Sequence, residues 1–201
     1  MRRTFSYGLV MLPLMAMALA SGGCASIVVG TTAATGVAIA QERSVGEAID
    51  DATIHAQIWD GLIKESEVLF RKVGIEVIEA RVLLTGNVGE PEDRVEAVRI
   101  AWAVPGVKEV LNEIEVRDSG SFTDYAGDVW ITTQLRAKML RDGKVSDLNY
   151  SIDTINGTVY LIGIARDQSE LDRVTNHARN IRGVRKVVSH VVLKTDPQRQ
   201  M

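Results

Sequence analysis

The chain repeats itself. Displaced by 77 residues, it aligns with itself without a gap: Asp51 falls on Asp128, Ile54 on Ile131, Gln57 on Gln134 and Val68 on Val145. Further along, Ile75 falls on Ile152, Val82 on Val159, Leu84 on Leu161, Gly86 on Gly163, Ala101 on Ala178, Gly106-Val107 on Gly183-Val184 and Val110 on Val187. Most matches are apolar or glycine positions, where a shared fold constrains residue type. The period is longer than that of solenoid repeats, so the simpler reading is two copies of one small domain. We place them at residues 46–117 and 124–194, with a short polar linker at 118–123 and a tail at 195–201. A chain of 201 residues is long enough for two such units.

Each copy reads as helix, strand, strand, helix, strand, an α+β pattern. In copy one, Ile54, Ile58 and Leu62 recur at helical spacing. Residues 74–79 and 81–87 read as strands, Pro91 opens a helix running to about Ala103, and Pro105-Gly106 stops it. Residues 107–116 read as the last strand, and Trp102 is expected in the core of this copy. In copy two, Asn156-Gly157 separates two β-type runs, 149–155 and 158–164, and supplies the positive φ angles of a type I′ hairpin. The second helix spans 168–180, and the connection from strand two through it to strand three suits a parallel crossover. Two helices would then cover one face of a three-stranded mixed sheet in each copy.

The first 23 residues read as an export signal. Arg2 and Arg3 precede an apolar stretch, Tyr7 to Ala20, which is too short to span a bilayer comfortably. Ser21-Gly22-Gly23-Cys24 resembles a lipobox, with Ser21 where that pattern prefers Leu. The resemblance implies that Cys24 becomes the lipidated N-terminus of a tether over 24–45, anchored by several acyl chains. Ala25, rather than Asp, after the cysteine implies sorting to the outer membrane. As the sole cysteine, Cys24 excludes an intramolecular disulfide and a cysteine metal cluster.

Leu84-Thr85-Gly86 and Leu161-Ile162-Gly163 before the second helices, with Pro105-Gly106-Val107 and Arg182-Gly183-Val184 before the final strands, resemble the BON-domain family. Two such domains behind a lipobox resemble the dual-BON outer-membrane lipoproteins. That likeness covers almost the whole chain. It implies an outer-membrane protein on the periplasmic face that binds anionic phospholipid, phosphatidylglycerol or cardiolipin, in support of outer-membrane integrity. Envelope assembly or cell-division proteins are the partners it would allow.

No catalytic order is legible: there is no Ser-His-Asp pattern, phosphate loop or HExxH helix, and no cofactor is expected. His55, His177 and His190 lie far apart, so no metal site is expected, and the net charge of −3 gives no footprint for nucleic acid. The copies nevertheless differ in charge. Residues 45–117 carry 15 acidic and 8 basic side chains, a balance of −7, whereas residues 122–194 carry 8 acidic and 11 basic, a balance of +3.

Copy two is therefore the one suited to an anionic surface, and its first helix, about Asp128 to Arg141, sharpens the point. Ile131, Leu135 and Met139 form a buried stripe. At about 100° per residue, Trp130, Thr133, Ala137 and Leu140 fall on the opposite side, flanked by Arg136 and Arg141. An exposed apolar face with cations at its edges is the composition of an interfacial helix. Tyr125 and Phe122, just before it, would join a lipid patch or a domain interface. Packing of Trp130 against the linker or copy one is the competing structural expectation. The copy-one equivalents, Thr53, Ala56, Asp60 and Ile63, would spoil such a contact. A second functional expectation is an adaptor that binds an envelope protein through the acidic copy one.

Overall fold

A computed structural model describes residues 44–117 and 122–200; the expected signal segment, Cys24, the tether through residue 43 and residues 118–121 of the linker lie outside them. The first repeat runs α1 (Val45–Glu65), a short α2 (Glu67–Lys72), β1 (Val73–Ile78), β2 (Arg81–Val88), α3 (Pro91–Ala103) and β3 (Glu109–Val116). The second runs α4 (Phe122–Arg141), a 3₁₀ turn (Asp147–Asn149), β4 (Tyr150–Ile155), β5 (Thr158–Ala165), α5 (Gln168–Arg179) and β6 (Lys186–Leu193), closed by a 3₁₀ turn at Pro197–Gln200. Ser44 opens α1 with a capping box: its hydroxyl accepts from the N–H of Glu47, whose carboxylate accepts from the N–H of Ser44. Helix α4 begins six residues earlier than Asp128, the start expected from the buried stripe.

Each repeat builds a three-stranded mixed sheet. β1 and β2 are antiparallel and β2 and β3 parallel; β4, β5 and β6 repeat the arrangement. The apolar-X-Gly motif has a steric cause here. Gly86 pairs with Val73 at φ 128°, and a Cβ at that position would collide with the carbonyl oxygen of Lys72. Gly163 meets the carbonyl oxygen of Asn149 in the same way, so both strands need glycine where the incoming chain crosses close.

Strand alternation sends side chains to two faces. Val82, Leu84 and Val88 of β2 pack under α1 and α3 with Ile54, Ile58, Leu62, Ala97 and Ile100. Val159, Leu161 and Ala165 of β5 do the same with Ile131, Leu135, Met139, Val174 and Ala178. The opposite faces meet each other. Ile78 and Leu83 pack on Tyr160, Ile162 and Ile164 in a third apolar cluster, joined by Leu111, Ile155, Val188 and Val192. The order of layers is helices, sheet, sheet, helices, and burying each large apolar side chain in the middle contributes about 1.5–3 kcal/mol. Burial there also pushes the Tyr160 hydroxyl up to about 12.

The middle interface pairs like with like. Ile78 and Ile155, Leu83 and Tyr160, and Leu111 and Val188 are repeat equivalents that share the cluster. Glu113 bonds to its own equivalent, His190, at 2.8 Å. Glu76 lies within electrostatic reach of its equivalent, Asp153, which also accepts from the hydroxyl of Thr85. A two-fold axis imposes this pattern on an isologous interface. The two domains of one chain meet as two subunits of a symmetric dimer would. Arg81 adds a link by donating to the carbonyl oxygen of His190 at 3.0 Å.

One core assignment is corrected. Trp102 is 52% exposed, because the buried stripe of α3 runs through Ala97, Ile100 and Ala101. Val95 and Trp102 lie on the outer side of the helix with Arg99. Trp59 is also outside, 46% exposed, with its ring edge-on to Phe70 at 5.1 Å.

Candidate functional site

Helix α4 is held to its sheet by the stripe Ile131, Leu135 and Met139, all buried. Thr132 adds a hydroxyl bond to Thr154 of β4 at 2.7 Å. The N-terminal half is pinned by Asp128, whose two carboxylate oxygens accept from the N–H groups of Asn156 and Gly157, each at 2.7 Å. Those residues form the β4–β5 turn at φ 50° and 74°, the positive pair that a type I′ hairpin needs. Partial burial pushes the Asp128 carboxyl up, against the pull of both N–H groups. Asp51 grips the first-domain turn identically, accepting from Glu79 at 2.9 Å and Ala80 at 2.7 Å. The aspartate carried by the repeat is thus a latch between the first helix and the hairpin.

The outer face of α4 is apolar and solvent-facing. Tyr125 is 67% exposed, Trp130 47% and Leu140 66%; Thr133, Arg136 and Arg141 are exposed and Ala137 is half-buried. The sequence reading missed Val129, which is 48% exposed and continues the stripe between Tyr125 and Thr133. Its position follows from the same helical spacing. Arg136 lies toward the first domain, where its charge acts on Glu76, so it stands at the rim of the face.

Trp130 borders a groove of about 250 Å³ between the start of α4, the Asn156-Gly157 turn and the loop after α5. Arg182 and Arg185 of that loop stand beside it, both exposed, and neither forms an ion pair among the described residues. Gly183 between them adopts φ 98°, and its open Cα lets the loop lie against Ile131. These two arginines were also missed. In the sequence Arg182 stands within a fold motif, and about forty residues separate the pair from the end of α4. The face therefore combines an aromatic ring, aliphatic side chains and two guanidinium groups outside any ion pair among the described residues, beside Asp124 and Asp128, which are both already engaged. Together they can take an anionic group at an apolar boundary.

Two of the three histidines have local duties. His177 bonds to Asp142 at 2.8 Å, and Arg173 reaches the same carboxylate at 3.3 Å. The His177 bond, foremost, holds the Asp142 carboxyl below its ordinary value. His190 sits in the inter-domain face. Among the described residues no group of three or more His, Cys, Asp and Glu side chains is placed to hold a metal ion, and no helix is long and apolar enough to cross a membrane.

The BON domain model matches the chain twice, at residues 50–118 and 127–195. Among curated relatives, an uncharacterized protein in the gshII 5′ region of Anaplasma centrale is 42% identical over 147 residues, 73% of this chain and 96% of that protein. The outer membrane lipoprotein DolP of Haemophilus influenzae is 32% identical over 167 residues, 83% of this chain and 86% of that protein. The osmotically-inducible protein Y of Escherichia coli is 30% identical over 154 residues, 76% of this chain and 77% of that protein.

Proposed function

The chain belongs to the BON-domain family, with two copies in tandem, and from that premise we propose that it is a cell-envelope protein whose second domain docks on anionic phospholipid. The observation that carries this reading is Trp130, exposed on α4 and bordered by Arg182 and Arg185. An indole at the level of the headgroups is a favourable anchor. Each basic side chain near an anionic bilayer adds roughly 1 kcal/mol. Arg182, Arg185, Arg136 and Arg141 supply that term, while Val129, Leu140 and Tyr125 supply apolar contact.

An outer-membrane location is supported by the likeness to a protein named as an outer membrane lipoprotein and by the lipobox-like run ending at Cys24. An acyl anchor there would make the docking of the second domain intramolecular, so a weak intrinsic affinity suffices. Phosphatidylglycerol and cardiolipin are the headgroups in view, and support of outer-membrane integrity is the output. The reaction chemistry of an enzyme has no place in this reading: the groups on the outer face of α4 bind and orient.

Three exposed tryptophans allow a direct test. A chain that retains only Trp130, with Trp59→Phe and Trp102→Phe, should be quenched by bromine-labelled acyl chains in phosphatidylglycerol vesicles. A chain that retains only Trp102 should not, because its domain carries the acidic surplus. Quenching of Trp102 with Trp130 untouched would overturn the assignment.

A further inference from the structure

The first domain has a groove at the repeat-equivalent place, and its lining is more acidic, although Glu47, Asp51 and Lys108 keep the charges of Asp124, Asp128 and Arg185. Asp50 stands where the second domain has Gly127, Glu79 where it has Asn156, Thr53 where it has Trp130 and Pro105 where it has Arg182. The cavity is larger, about 630 Å³ against about 250 Å³, and the second domain contributes to its wall through Val192 and Arg199.

Arg199 shows what the cavity accepts. The chain beyond β6 crosses back to the first domain, and the Arg199 guanidinium pairs with both carboxylate oxygens of Glu79, with Nε at 2.8 Å from Oε2. The two residues are 120 positions apart and their side chains are 15% and 12% exposed. The pair closes one end of the cavity and takes up the Glu79 carboxylate that an incoming guanidinium would use, while about 630 Å³ stays open beside it. Of the other cations there, Arg81 is held by Glu109 and by the carbonyl of His190. That leaves Lys108, which lies within electrostatic reach of Glu47. The lining thus combines apolar surface, from Ile54, Pro105 and Val192, with several acidic side chains. A long alkyl stem ending in a cation fits such a slot, and an arginine side chain is that shape.

We propose that this cavity receives an arginine-bearing basic segment of a protein partner, and that Arg199 is its resting occupant. The surplus of −7 on the surrounding domain favours a segment with several basic residues over a single small cation. Displacement of Arg199 from Glu79 would release the tail from the first domain and so couple partner capture to the junction of the domains.

The test is an NMR titration of the full chain with an acetylated, amidated Gly-Arg-Gly-Arg-Gly peptide and with its citrulline counterpart, which keeps the shape and loses the charge. Shifts should appear with the arginine peptide alone and centre on Ile54, Glu79 and Ala80. Arg199→Ala should tighten binding about tenfold, as when an occupant present about nine-tenths of the time is removed. Glu79→Gln and, as a second variant clear of the Arg199 pair, Asp50→Asn should each weaken it, with thermal melts confirming that all three variants fold. Equal binding of the citrulline peptide, or shifts that avoid the cavity in both wild type and Arg199→Ala, would overturn the proposal.

Discussion

Glu113 and His190 occupy the same position in the two repeats, and His190 Nε2 lies 2.8 Å from Glu113 Oε1 where the two sheets meet. A contact between equivalent positions fixes the sense of the docking, because it sits where a two-fold axis would pass. Breaking it with Glu113→Gln or His190→Ala should cost about 1–2 kcal/mol in urea unfolding. A double-mutant cycle should return a coupling of at least about 0.5 kcal/mol. Strict additivity would show that the pair does not hold the domains together.

The apolar part of that interface makes a stronger demand. Leu83 and Ile162 are fully buried, one from each sheet. Ile162→Asp would place a carboxylate among Ile78, Leu83 and Tyr160 while leaving the helix-side core of its own domain intact. We expect two separate calorimetric transitions in place of one, and the same from Leu83→Asp. If either variant keeps a single transition at the wild-type temperature, the sheets do not depend on each other.

Glu76 gives the interface a pH dependence. Burial, foremost, raises its carboxyl above 4.5, and Asp153 raises it further, while a hydrogen bond with Ser151 and the charge of Arg136 pull it down. A raised carboxyl holds its proton more readily in the folded chain than in the unfolded one. Its contribution to stability is therefore present below pH 4.5 and is lost as pH rises through the folded value. Glu76→Gln should raise the melting temperature at neutral pH, and the gap should close near about pH 4. A variant less stable than wild type at neutral pH would contradict this.

The two hairpin turns solve one problem with different residues. Glu79 and Ala80 hold φ of 56° and 62° without a glycine, under the grip of Asp51. Ala80→Gly should therefore stabilise the chain by about 0.5–1 kcal/mol. Gly157→Ala should destabilise it by at least about 1 kcal/mol, since its Cβ would meet the carbonyl oxygen of Gly183 at 2.7 Å. Chemical denaturation of both variants checks the signs.

Much of this architecture is readable from local signals. Pro91 marks the start of α3 and Asn156-Gly157 the second hairpin, because each residue type has one backbone habit that suits the place. The Ile131, Leu135, Met139 spacing told the inner face of α4 from the outer one, which is why Trp130 and Leu140 were legible as exposed. Trp102 was not, because α3 carries a second apolar set, Val95 and Val98, that competes with Ala97 and Ile100 for the inward direction. The face-to-face sheets left a signature that went unread: β2 and β5 are apolar at consecutive positions, whereas a sheet covered on one side alone alternates. Arg182 and Arg185 reach Trp130 only through the β5–α5–β6 crossover, so spacing along the chain gives no hint of them.

Binding of the second domain to anionic lipid is most directly read by vesicle flotation of a chain beginning at residue 41, which excludes the apolar N-terminal stretch and retains every described residue. Wild type should float with phosphatidylglycerol vesicles and not with phosphatidylcholine vesicles, and added salt should release it. Trp130→Glu, and Arg182→Glu together with Arg185→Glu, should stay at the bottom with unchanged circular dichroism. Wild-type flotation that ignores lipid charge, or that survives both sets of substitutions, would contradict the assignment of this face to phospholipid.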